Sequence, residues 1–275
     1  MIVPNRRFLR CAVTLVVAAP FVVLGYGGAR PRAQAMAPQA PAQAAVPNCA
    51  ELATALSRVS ANDLRLRDWP NLARYHDANR TTTGMRVVFM GDSITDFWQQ
   101  PRFGGFFPGQ SYADRGISGQ TTPQMLLRFR ADVIDLHPQV VVILGGTNDI
   151  VGATGPESNE EIEGYLASMS DLAHASGIAV VLASLTPVGA YHVPSATAIP
   201  QTTQRPMERI RAINTWMADY AAAHGDGYLD YFSALIDATG LLRADFSADD
   251  LHPTMAGYAV MAPLAEAAIA RALKK

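Results

Sequence analysis

The stretch Arg86-Val87-Val88-Phe89-Met90-Gly91-Asp92-Ser93-Ile94-Thr95 decides how the chain is read. Four consecutive apolar residues, two of them β-branched, stop at a glycine and give way to small and polar residues. That is the pattern of a strand covered on both faces, running into a turn that opens a helix. The pattern recurs downstream. Val140-Val141-Val142-Ile143-Leu144 runs into Gly145-Gly146-Thr147-Asn148-Asp149, and Ala179-Val180-Val181-Leu182 is a third such run. Helical periodicity fills the spaces between and after them, over Pro123 to Leu136, Asn159 to Ala175, Gln204 to His224 and Thr254 to Leu273. Strands alternating with helices predict a parallel sheet sandwiched between helices, in one α/β domain from about residue 48 to residue 275.

Upstream, two mixed helical stretches are predicted over Glu51 to Val59 and Asn62 to Asn79, the second carrying Leu64, Trp69, Leu72 and Tyr75 at near-helical spacing. They are expected to pack as an N-terminal flank. Residues 36–47 are rich in Ala, Pro and Gln without a hydrophobic period, the composition of a flexible leader. Arg6, Arg7 and Arg10 precede an apolar stretch from Cys11 to Tyr26, and Ala33-Gln34-Ala35 follows with the small residues of a cleavage site. Residues 1–35 therefore read as a signal peptide cleaved after Ala35, which makes the mature protein secreted or periplasmic. The stretch is shorter than the roughly 20 residues of a spanning helix and holds Pro20 and Gly25, so no stable membrane span is expected in the mature form. Arg6-Arg7-Phe8-Leu9 points toward a twin-arginine route, one residue tighter than the usual spacing, so both this route and the general one stay open.

The totals narrow the partners. A net charge of -2 over 275 residues leaves no cationic excess for a phosphate backbone, so nucleic acid is not expected. With Cys11 in the export signal, Cys49 stands alone, and neither an internal disulfide nor a thiolate zinc site is expected. His76, His137, His174, His192 and His224 show no metal-ligand spacing, and read as surface or helix-end residues.

In an open parallel sheet, ligands bind beyond the carboxyl ends of the strands, where helix N-termini present free N–H groups. Ser93 follows the first strand at such a point. A serine hydroxyl becomes a nucleophile only when a base takes its proton and a carboxylate fixes that base. His252, in Asp249-Asp250-Leu251-His252-Pro253, is the candidate base. Asp249, three positions before it, is preferred as the acid because both side chains can share one side of a tight turn; Asp250 remains open on chemistry alone. Three donors are candidates for a developing oxyanion: the Ser93 N–H, the N–H of Gly119 in Gly116-Ile117-Ser118-Gly119-Gln120-Thr121-Thr122, and the Asn148 amide. Asp92 and Asp149 read as turn residues bonding local backbone. Gly-x-Ser-x-Gly is absent, which disfavours the α/β-hydrolase fold.

Taken together, Gly91-Asp92-Ser93-Ile94-Thr95, Gly119 in its loop, Gly146-Thr147-Asn148-Asp149 and Asp249-Asp250-Leu251-His252-Pro253 resemble, in order, the four blocks of the GDSL or SGNH hydrolases. The resemblance runs from about Arg86 to Tyr258. It implies a flavodoxin-like three-layer α/β/α sandwich that hydrolyses carboxylic esters through Ser93, His252 and Asp249. The oxyanion would be held by Ser93, Gly119 and Asn148, and no metal or organic cofactor would be needed. Arg115 to Thr122 looks closest to bacterial esterases and platelet-activating-factor acetylhydrolase-like proteins, which points to short, acetyl-type acyl groups on a small-molecule or carbohydrate alcohol. A lysophospholipase or thioesterase for longer chains, and an O-acetyltransferase acting on cell-envelope sugars, are the alternatives. Trp98, Phe103, Phe106 and Phe107 either wall the pocket or pack the loop over the core.

Overall fold

The computed structural model describes residues 54, 56, 57, 66–192, 195 and 197–274, all within a unit spanning Cys49–Lys275. The expected export signal and leader, Cys11 and Cys49 lie outside the described residues. In order, the elements are α1 (Ala73–Thr81), β1 (Val87–Gly91), α2 (Ser93–Asp96), β2 (Tyr112–Gly116), α3 (Thr122–Asp132), β3 (Val140–Leu144), α4 (Thr147–Ile150), α5 (Asn159–Ala175), β4 (Ala179–Ala183), α6 (Gln201–Gln204), α7 (Met207–His224), β5 (Gly227–Leu229), α8 (Phe232–Leu235) and α9 (Met255–Ala272).

The five strands form one parallel sheet in the order β2-β1-β3-β4-β5, the flavodoxin-like arrangement. Alternation along each strand divides the core. Val88, Met90, Val141, Ile143, Val180 and Leu182 face α3, α5 and α7. Val87, Phe89, Val140, Val142 and Val181 face α9 and the segment after α2. Helices thus cover both faces, the three-layer sandwich that the strand runs imply. No described helix is long and apolar enough to cross a membrane. The chain leaves β1 for β2 on one side and returns to β3 on the other. The crevice above the carboxyl ends of β1 and β3 is therefore the topological switch point, and Ser93 and Asn148 follow those two strands.

Two strands escape the sequence pattern. β2 reads Tyr-Ala-Asp-Arg-Gly, and its buried charges disguise it. The Arg115 guanidinium donates from Nε to Asn79 Oδ1 at 2.9 Å and from Nη2 to Thr82 Oγ1 at 3.2 Å, so α1 and its C-terminal flank satisfy what the strand cannot. Asp114 accepts from Gly116 N at 2.7 Å through one oxygen while the other has no partner, and burial pushes its carboxyl up to about 7. β5 has three residues, too few to show a period.

Three expected helices are shorter than predicted. The stretch from Asn62 to Asn79 breaks where Pro70 lacks an N–H and Asn71 takes φ 55°; Asp68 then caps α1 by accepting from Leu72 N and Ala73 N at 2.8 and 2.9 Å. Only Thr54, Leu56 and Ser57 of the other flanking stretch are described, and they are helical. The expected Gln204–His224 helix starts at Met207, after Pro206. The expected Pro123–Leu136 helix ends at Asp132, and a single 3₁₀ turn covers Ile134–Leu136.

Candidate active site

The turn that carries Ser93 is built by close packing. A side chain at Gly91 would collide with Thr95, and one at Gly116 with the backbone of Asp96, so the ends of β1 and β2 press directly on α2. Asp92 caps α2, its Oδ1 accepting from Ile94 N at 2.9 Å. Ser93 is then the first residue of a helix, with no acceptor behind it for its N–H.

His252 Nε2 lies 2.9 Å from Ser93 Oγ, and His252 Nδ1 lies 2.7 Å from Asp249 Oδ2. Asp249 Oδ1 also accepts from His252 N at 2.8 Å, from Leu251 N at 3.1 Å and from Ser247 Oγ at 3.1 Å. Partial burial works against ionisation of Asp249, but the hydrogen bonds from the ring and backbone of His252, electrostatic attraction to that ring and the Leu251 N–H together hold its carboxyl far below the usual carboxylate range. The two adjacent aspartates contact different histidines. Asp250 takes φ 63° and turns away, accepting from His192 N at 2.6 Å and meeting His192 Nδ1 at 3.0 Å. The Phe97 ring sits 4.8 Å from the imidazole and backs it.

The three predicted donors lie after the carboxyl ends of β1, β2 and β3. Gly119 takes φ 80° with open space around it, so left-handed backbone and not crowding is what calls for glycine there. Among the described residues, neither Ser93 N–H nor Gly119 N–H donates to any backbone or side-chain acceptor. Asn148 Nδ2 donates to Gln120 O at 2.9 Å, while its approach to Asp92 Oδ2 is 3.5 Å, too long to hold the second N–H firmly. Burial is the chief influence on Asp92 and pushes its carboxyl up to about 6.

Asp92 bonds local backbone, as expected. Asp149 also reaches beyond its turn: its Oδ1 accepts from Thr122 N at 2.8 Å and from Thr122 Oγ1, which ties the loop after β3 to the start of α3. Burial raises both Asp149 and the neighbouring carboxyl of Glu157, the latter to about 7. The aromatic residues after Ser93 divide. Trp98 and Phe107 are buried against Phe89, and Phe106 packs on them. Phe103 stacks on Phe97 and lines a cavity of about 270 Å³ with Trp98, Met255 and Tyr258. Phe97, Gln120 and Arg128 carry no signal of their own in the sequence. Each is an ordinary helix or loop residue until its distant partners are known. Among the described residues, no cluster of three or more His, Cys, Asp or Glu side chains is placed to hold a metal ion.

A serine hydroxyl 2.9 Å from an imidazole, at the switch point of a parallel sheet and beside loops whose Ser93 and Gly119 N–H groups donate to nothing among the described residues, is an arrangement that suits ester hydrolysis. The model of the GDSL-like lipase/acylhydrolase family matches residues 89–260, and the chain belongs to that family of ester hydrolases. Solved structures agree. A GDSL-like lipase from Bacteroides thetaiotaomicron is 35% identical, covering 74% of this chain and 98% of its own, with a TM-score of 0.66. A protein from Bacteroides fragilis assigned as an acylhydrolase is 36% identical over 74% of this chain and 98% of its own, with a TM-score of 0.68. An acetylxylan esterase from Geobacillus stearothermophilus, crystallised as a catalytic mutant, shares the fold at 20% identity, covering 68% of this chain and 94% of its own with a TM-score of 0.54. Nothing matches among curated proteins.

Proposed function

We propose that the protein is an exported serine esterase that removes short, acetyl-type acyl groups through Ser93, His252 and Asp249. The observation that carries this reading is the continuous chain from Asp249 Oδ2 through His252 to Ser93 Oγ, at 2.7 and 2.9 Å. With Asp249 accepting from Nδ1–H, the lone pair of His252 is on Nε2, facing the hydroxyl; this tautomer follows from the hydrogen-bond network. Ser93 Oγ attacks the ester carbonyl as its proton passes to Nε2, and Asp249 stabilises the imidazolium. The carbonyl oxygen becomes an oxyanion, which accepts from Ser93 N–H, Gly119 N–H and the loosely held N–H of Asn148. His252 then protonates the departing alkoxide, leaving an acyl group on Ser93. Water, deprotonated by the same imidazole, releases the acid.

The export reading rests on Arg6, Arg7 and Arg10 ahead of the apolar stretch from Cys11 to Tyr26. Acetylated carbohydrate is the first alcohol class to test, since the acetylxylan esterase named above shares the fold. A second reading, longer acyl chains, is favoured by the apolar cavity at Phe103 and Met255, where the Phe103 ring stacks on the Phe97 ring that backs His252. Initial rates on p-nitrophenyl acetate, butyrate and laurate, and on acetylated xylan and acetylated monosaccharides, separate the two. Acetate esters turn over fastest under the first reading. A preference for laurate contradicts it, and no turnover of any ester by folded protein contradicts both.

A further inference from the structure

We propose that Arg128 and Gln120 are positioning residues that set the oxyanion hole, a buried clamp holding the Gly119 loop and the Asn148 amide against the nucleophile turn. The proposal rests on the esterase reading above and adds what aligns its donors. The Arg128 side chain is 0% exposed. Its Nη1 pairs with Asp132 Oδ2 at 2.9 Å, an ion pair within α3. The other two contacts leave the helix. Nη2 donates to Gly91 O at 2.9 Å, two residues before Ser93, and Nε donates to Gln120 Oε1 at 2.5 Å, one residue after Gly119.

Gln120 passes the constraint on. Its backbone O accepts from Asn148 Nδ2 at 2.9 Å, its N donates to Ile117 O at 3.2 Å, and its side-chain Nε2 donates to Pro70 O at 2.7 Å in the N-terminal flank. Each of the three oxyanion donors thus lies within two residues of an atom in this network or is bonded to it. Burying a guanidinium costs several kcal/mol, and apolar side chains of like volume stabilise a core as well or better. The cation is retained for its planar fork of donors, which reaches a backbone carbonyl, an amide and a carboxylate at once. A lysine ammonium, a point donor, cannot span the three.

Two variants test the clamp. Gln120→Met keeps the volume and removes both side-chain hydrogen bonds; Arg128→Lys keeps a charge opposite Asp132 and carries the test if Gln120→Met does not fold. Two rates are read on folded protein: kcat and KM for p-nitrophenyl acetate, and the second-order rate at which a fluorophosphonate labels Ser93, followed by intact mass. Both reactions draw on the oxyanion hole. Because donors are misaligned and not deleted, kcat and the labelling rate are expected to fall by about 10- to 100-fold in Gln120→Met, and by less in Arg128→Lys. KM should change by less than about threefold, and the midpoint of the pH–rate profile should not move, since His252 and Asp249 sit on another loop. A purely structural role would lower thermal stability and leave both rates intact in the folded fraction. Folded Gln120→Met with wild-type kcat and labelling overturns the proposal, as does a loss confined to KM. Wild-type protein that neither turns over esters nor labels at Ser93 overturns the esterase reading and the proposal with it. Labelled, active wild type beside an unimpaired Gln120→Met overturns the proposal alone.

Discussion

Replacing Asp249 with asparagine should damage the reaction far more than the same change at Asp250. The new side chain would keep an oxygen for Leu251 N, His252 N and Ser247 Oγ, so the turn survives. Its amide would face His252 Nδ1, now 2.7 Å from a carboxylate oxygen, as a donor meeting a donor. The imidazole relieves this by moving its proton to Nε2, and the atom 2.9 Å from Ser93 Oγ then no longer accepts. In a fully enclosed triad this change costs about 10⁴ in kcat. Here the Asp249 side chain is 54% exposed, so water can share Nδ1, and the expected loss is about 10²- to 10³-fold, or about 3–4 kcal/mol of barrier. Asp250 touches His192 and not His252, so Asp250→Asn should leave kcat within about threefold while lowering stability by about 1 kcal/mol as charge-assisted bonds weaken. Steady-state kinetics on p-nitrophenyl acetate with parallel thermal melts decide it. Equal losses at the two positions, or the larger loss at Asp250, would refute the assignment of the acid.

Gly119→Ala should cost about 1 kcal/mol of stability, because φ 80° is left-handed, and lower kcat at least about 10-fold by turning the N–H out of line; kinetics and melts on one preparation check both, and unchanged kcat would remove Gly119 from the site. Asp114→Asn tests the buried orphan in β2. Its carboxyl is raised to about 7 in the fold, so it is neutral in both states below about pH 4, and an ionisation cost builds as pH rises from there to about 7 and is complete above it. The variant should match wild type near pH 4 and exceed it by on the order of a few kcal/mol at about pH 8 in urea melts, and an advantage independent of pH would contradict the buried charge.

The parts legible from the chain itself are those whose causes are local. β1, β3 and β4 announce themselves because covered strands need unbroken apolar runs, and Ser93 and Asn148 stand in the loops after β1 and β3; Gly119 and the Asp249–His252 pair are picked out by their own local patterns, the pair just before α9. β2 stays hidden because Asp114 and Arg115 argue against a buried strand until Asn79 and Thr82 supply partners from α1 and the residue after it. Arg128 reads as one more cation on an amphipathic helix. Its burial depends on Gly91 and Gln120, which local periodicity cannot bring to it. The turning of Asp250 toward His192 is likewise a contact across 58 positions of chain. Spacing favours Asp249, but only the fold shows what Asp250 does instead. Helix lengths err where Pro70 and Pro206 interrupt a hydrophobic period that continues past them.

If Ser93 is the nucleophile, Ser93→Ala removes the one hydroxyl the reaction needs. Ester hydrolysis by the variant is measured beside wild type, with circular dichroism and melting temperature showing that both are folded. The folded variant should lose nearly all turnover. Folded Ser93→Ala with wild-type kcat on the same ester would contradict that role.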